Sequence, residues 1–174
     1  KYIKMNNQQY DFWFLLNRGR DLSNLVTDEY LRKYGISQVE FATLFCISLL
    51  GDDVAPADLA RQLFRNRNTI SYILKRLEKR GLVTLRKNME KKNQIKVTNT
   101  EKAKEILRFM EKNELLKRII DSFSEEERQL FRKFMQKMYD MAVIELREDR
   151  YYSSRLPKLD EIIVVKDESS NPVT

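Results

Sequence analysis

Apolar side chains recur along this chain at helical spacing almost from its start. From about Tyr10 to Tyr34, Phe12, Trp13, Leu15, Leu16, Leu22, Leu25, Val26, Tyr30 and Leu31 fall at mixed helical intervals. That pattern predicts one long helix, buried on more than one side and ended by Gly35. The run ISQVEF then carries a start signal on several counts: Ser37 as N-cap, Glu40 three positions on completing a capping box, and Ile36 with Phe41 placed as a hydrophobic staple. The helix it opens runs FATLFCISLL and stops at Gly51. After a turn at Asp52 and Asp53, Pro56 takes the first-turn position, where a missing amide hydrogen does no harm, and PADLARQLF makes a short helix.

The next stretch, RNRNTISYILKRLEKRG, divides sharply. Ile70, Ile73, Leu74 and Leu77 share one side of a helical wheel, and Asn68, Ser71, Tyr72, Lys75 and Lys79 share the other. Asn66 is placed to cap this helix and Gly81 to close it. Leu82 to Lys87 and Gln94 to Thr98 then alternate in character around the polar NMEKKN, which predicts a hairpin with a basic tip. A second capping box, Thr98 to Glu101, predicts a long helix carrying Ala103, Ile106, Leu107, Met110, Leu116, Ile119, Ile120 and Phe123. A third, Ser124 to Glu127, opens another with Leu130, Phe131, Phe134, Met135, Met138, Met141, Ala142 and Leu146. From Tyr151 the composition turns to Ser, Pro, Asp and Lys, as expected of a poorly ordered tail, although Ile162 to Val165 is apolar enough to dock as a strand. The fold class expected is mainly α: a winged helix-turn-helix with a short β-hairpin wing, flanked by N- and C-terminal helices.

Composition agrees with that order. Four Gly and three Pro in 174 residues are too few for a barrel or sandwich, and 42% hydrophobic residues are ample for a core. The chain has no His, and Cys46 stands alone. Zinc sites, Cys–His pairs, Ser–His–Asp arrangements and intrachain disulfides are thereby excluded or nearly so. Cys46 sits mid-helix in LFCIS with no neighbouring cation to favour a thiolate, so it reads as core. Met135, Met138 and Met141 read as core or dimer interface, and Trp13 as packing. No Gly-rich phosphate loop, metal cluster or nucleophile constellation appears, so neither an enzyme nor a cofactor is expected. No apolar run approaches the ~18 residues of a membrane span, and Lys1 to Arg20 lacks the pattern of a secretory signal. A soluble cytoplasmic protein is expected.

The formal charge is +7, and its distribution says more than its total. Twelve Lys or Arg lie between Arg61 and Lys96 against Glu78 and Glu90, so the remainder of the chain is net negative. The basic region coincides with the helix that has one polar face. A helix that enters the major groove, ~12 Å wide, must offer polar side chains outward while its back is gripped by its own domain. Arg suits guanine and Asn suits adenine. Arg67, Asn68, Ser71 and Tyr72 are therefore candidates for base contact, and Thr69, Lys75 and Arg76 for phosphates, with Asn66 at the helix start. On the hairpin, Lys91 and Lys92 stand at the tip and Arg86 and Lys87 at the base, where a cationic arm can reach the adjacent backbone or minor groove.

The run PADLARQLFRNRNTISYILKRLEKRGLVTLRKNMEKKNQIKVTNT resembles the winged-helix core of the MarR family, the multiple antibiotic resistance regulators. Leu59, Ala60, Thr69, Ile70, Ser71, Leu77, Glu78, Gly81, Leu82, Val83, Val97 and Thr98 carry the likeness. Where the family commonly has Asp-x-Arg at the wing tip, this chain has Glu90, Lys91 and Lys92, and lysine reads a minor groove less well than arginine. The resemblance implies a dimeric repressor of transcription that binds double-stranded DNA at a palindromic operator. It also implies a small-molecule effector, often an aromatic anion, between the dimer helices and the winged domain; no residue here names one. A homodimer is expected from the residues too, because the terminal helices carry more apolar side chains than one small core absorbs. The expected organisation is a dimerisation helix in 1–36, the winged domain in 37–100, dimerisation helices in 101–150 and the tail in 151–174. The competing class is a winged-helix protein-interaction module whose basic face binds an acidic partner.

Overall fold

The computed structural model describes residues 5–51, 53–87, 94–108 and 112–147. In chain order the elements are α1 (Asn7–Lys33), α2 (Gln38–Leu50), α3 (Pro56–Gln62), α4 (Arg67–Lys79), β1 (Val83–Lys87), β2 (Ile95–Asn99), α5 (Glu101–Leu107), α6 (Glu114–Asp121) and α7 (Glu125–Arg147). The mainly helical winged helix-turn-helix with a two-stranded hairpin is the expected fold class.

Local signals account for most boundaries. Ser37 and Glu40 form the expected capping box, and Ile36 and Phe41 flank it in and against the core. Pro56 begins α3, and the side chain of Asn66 accepts from the Thr69 amide at the start of α4. Two helices end on the same device. At Gly35 (φ 61°) and Gly81 (φ 69°) the backbone turns left-handed, and amides just past the helix bond back to its last carbonyls: Gly35 to Arg32 and Ile36 to Leu31, Gly81 to Glu78 and Leu82 to Leu77. In each case the residue after the glycine and its partner a turn back are both buried, so the turn is sealed by an apolar contact as well as by hydrogen bonds.

The core sits between α2, α3, α4, the hairpin and α5. Leu44, Leu59, Ile70, Leu77 and Val97 are fully buried there, with Leu31 of α1 and Ile106 of α5 closing its ends. β1 and β2 pair antiparallel with Leu85 opposite Val97, and Val54 adds a single bridge to Val97 on its other side. The buried amide of Asn99 donates to the Leu44 carbonyl, which pins the inner end of the hairpin to α2.

Several expectations need correction. The first helix begins three residues before Tyr10, because Asn6 and Gln9 form a capping box of their own. It is not buried on more than one side within the chain: Phe12, Trp13, Leu15, Leu22 and Leu25 are each more than half exposed. Thr98 does not cap the helix after the hairpin. It pairs with Thr84 inside the sheet, and Thr100 caps instead, accepting from the Ala103 amide. The expected long helix from there to Phe123 is divided, since α5 ends at Leu107 and Asn113 caps a separate α6 through the Leu116 amide. The capping box at Ser124 and Glu127 is formed as expected. Residues 151–174, including Ile162 to Val165, lie outside the described residues.

Candidate nucleic-acid interface

The placement of α4 follows from its own sequence. Ile70, Ile73, Leu74 and Leu77 are buried, and at ~1.5–3 kcal/mol for each such side chain this anchors the helix firmly enough to fix which side faces out. Asn66, Arg67, Asn68, Ser71, Tyr72, Lys75 and Arg76 are all exposed, and Thr69 is half-buried. Positions 67–68, 71–72 and 75 succeed one another at one-turn intervals, so their side chains form one outward strip along the helix. Tyr72, the largest side chain on that strip, is 63% exposed.

The individual contacts separate residues that the pattern alone treats alike. The side-chain Oδ1 of Asn66 accepts from both the amide and the hydroxyl of Thr69 at 2.7 Å, so Asn66 and Thr69 hold the helix start together. Arg76 is not a free cation. Its guanidinium faces the buried carboxylate of Glu40 at 3.3 Å and lies 5.8 Å from the centre of the Tyr72 ring, within cation–π range. Arg86 and Lys87 are exposed on β1 at the outer end of the hairpin. Lys91 and Lys92 lie outside the described residues, as does Glu90.

Some members of this surface were not picked out by pattern. Arg65 stands exposed in the turn before α4, where Phe64 adopts φ 52° and the Arg65 amide bonds back to Ala60. A cation inside a helix-turn-helix turn was the available signal. Lys96, on the hairpin, is instead paired with Asp53 at 3.1 Å. Arg80 donates to the Tyr34 carbonyl at 2.5 Å and so ties the end of α4 to the end of α1.

Among the described residues no group of three or more His, Cys, Asp or Glu side chains could hold a metal, and no helix is long and apolar enough to cross a membrane. Cys46 is buried, and desolvation pushes its thiol up to about 11 from an ordinary 9.0.

A short helix, a tight turn, a helix with a clamped back and a polar front, and an adjoining hairpin define a winged helix-turn-helix protein. The MarR family model matches residues 34–90, a stretch that takes in α2, α3, α4 and β1. Solved structures extend the likeness in fold to most of the chain. The ligand-free and 2,4-dichlorophenol-bound forms of the organohalide sensing RdhR-CbdbA1625 transcriptional regulator each share 22% identity over 89% of this chain and 90% of theirs, with a TM-score of 0.65. A MarR protein from Peptoclostridium difficile shares 19% over 82% of this chain and 94% of its own, TM-score 0.67. Streptococcus pneumoniae FabT, solved in complex with DNA, shares 22% over 79% and 97%, TM-score 0.59. No curated protein matches the chain in sequence.

Proposed function

We propose that this chain is a homodimeric, sequence-specific double-stranded-DNA-binding regulator of transcription, a cytoplasmic repressor that occupies a palindromic operator and performs no catalysis. One observation carries the reading: the back of α4 is wholly buried while Arg67, Asn68, Ser71, Tyr72 and Lys75 stand out together on its front. Such a face is what a major groove accepts, and the exposed cations of β1 lie on the next element in the chain. Arg67, Asn68, Ser71 and Tyr72 are assigned to base edges. Lys75 and Arg86 with Lys87 are assigned to phosphates, and Lys91 and Lys92 to the backbone or minor groove beside them. The DNA complex of FabT supports the partner. The bare apolar surfaces of α1 and α7 support a second copy of the chain as the dimer partner.

Effector control belongs to the same reading and is supported by the dichlorophenol-bound relative. A thermal-shift screen of small aromatic acids and phenols should give a hit that also weakens DNA binding. The reading as a whole is tested by selecting duplexes from a random pool and titrating the winner with salt. A phosphate-contacting repressor loses affinity steeply, as log K against log salt with a slope of about −0.9 per phosphate. Weak binding that salt leaves unchanged would point instead to an acidic protein partner.

A further inference from the structure

Glu40 is withdrawn from water at the start of α2, with only 1% of its surface exposed. Its Oε2 accepts from the Ser37 amide at 2.8 Å and the Ser37 hydroxyl at 3.0 Å. Its Oε1 takes no hydrogen bond and faces Arg76 Nη2 at 3.3 Å, while Arg80 Nη1 stands 3.8 Å from Oε2. A buried carboxylate is costly unless hydrogen bonds and a nearby cation compensate for its lost hydration; Ser37 serves Oε2, and the cation at Oε1 is Arg76. Arg80 is already engaged by the Tyr34 carbonyl. Arg76 is therefore held where it is: were it to swing out to a phosphate, Oε1 of Glu40 would be left buried with no partner at that distance. Held there, the Arg76 guanidinium covers the ring of Tyr72, the largest side chain on the outward face of α4.

We propose that Glu40 and Arg76 are positioning residues for sequence reading, with the buried Glu40 fixing Arg76 and Arg76 fixing the ring of Tyr72 at the angle it presents to the groove. This rests on the regulator reading and deepens it. A side chain already confined to its bound rotamer loses less freedom on binding and tolerates fewer geometries, so the device acts on discrimination between sequences more than on general attraction to DNA. The charge of Arg76 is used inside the protein, and its removal leaves the number of neutralised phosphates unchanged.

The test compares wild type, R76K, R76Q and E40Q on two duplexes: one selected by the wild type from a random pool, and a scrambled duplex of the same length and composition. E40Q keeps the cap, since Gln also serves at that position of a capping box, and circular dichroism checks that each variant is folded. All three variants should lose about tenfold in the ratio of the two affinities, in line with one weakened base contact. The salt slope of R76K and R76Q on the selected duplex should stay at the wild-type value. A phosphate role for Arg76 predicts otherwise: R76Q would lower the slope by about 0.9, weaken both duplexes together, and R76K would restore both. That result, or an unchanged ratio in the variants, overturns the proposal. A readout without DNA keeps the two levels apart. The Tyr72 ring resonances of the free protein, assigned by their loss in Y72F, should move in both E40Q and R76K. Unmoved resonances overturn the coupling whatever the binding data show. A wild type with no preference between duplexes overturns the regulator reading and this role with it, even where the resonances move.

Discussion

The residues that face out from α4 differ in what their loss should do. Arg67 and Asn68 lie in its first turn, exposed and with planar groups suited to guanine and adenine edges. Replacing either by Ala should cost ~1–3 kcal/mol on the selected duplex and little on a scrambled one, read by fluorescence anisotropy at fixed salt. Their exposure was legible in the sequence because the opposite apolar stripe fixes which side is out. The fate of Arg76 was not legible. Glu40 and Arg76 are far apart in the chain, and Glu40 already had a sufficient local role as the third residue of a capping box, so no sequence signal announced its second one. Cys46 is the opposite case, since an apolar helix context gave its burial directly. Its thiol, raised to about 11 by desolvation, keeps its proton in the fold at a pH where the unfolded chain has lost it. The unfolded state then binds fewer protons than the native one, so stability falls as pH rises from about 9 to about 11. Cys46→Val should remove that part of the decline, measured as the difference in urea midpoint between the two proteins across the window.

Single elements were read well wherever a cap or a glycine marks them, and less well where the marks are ambiguous. Thr98 and Thr100 both stand ahead of Glu101, and only pairing with Thr84 decides that Thr98 belongs to the sheet and Thr100 to the helix. Asn113 looks like an interior helix residue in the pattern, yet its side chain takes the Leu116 amide and starts a new helix. Asx side chains compete with the backbone for such bonds, and spacing of apolar residues does not reveal which will win. The same chemistry at Asn66 gives a prediction. Its oxygen is used by Thr69 twice, so Asn66→Ala should destabilise the domain by about 1 kcal/mol and Asn66→Asp by far less. Thermal melting checks this without DNA. Gly81 is the corresponding device at the other end of α4. A Cβ there meets no atom within 4 Å, so Gly81→Ala should cost only the left-handed backbone, about 1–2 kcal/mol.

At the scale of the whole molecule the largest mismatch between pattern and chain lies at its ends. The apolar residues of the first helix were expected to be buried, and in one copy they are bare: Phe12, Trp13 and Phe14 on α1, with Phe131 and Phe134 on α7, are all more than half exposed. Hydrophobic spacing identifies surfaces that leave water without saying whether the cover comes from the same chain. A soluble monomer rarely leaves large apolar patches open, so rings bared along both terminal helices make a twofold partner the economical cover. In a twofold interface each substitution is felt twice, once from each subunit. Phe131→Glu together with Phe134→Glu would then place four carboxylates where four rings were buried. Losing those rings alone removes ~1.5–3 kcal/mol apiece, which over four rings is well above the ~2.7 kcal/mol that weakens dimerisation a hundredfold. Sedimentation should show the variant as a monomer at micromolar concentration. Because those rings are exposed in the single copy, its circular dichroism should stay close to wild type. Binding to a selected palindrome should fall to the level of one half-site, since two recognition helices spaced one helical turn, ~34–36 Å, act together only while the dimer holds. A variant that stays dimeric, or a monomer that binds the palindrome undiminished, would remove the twofold arrangement from the reading and leave α4 to account for specificity alone.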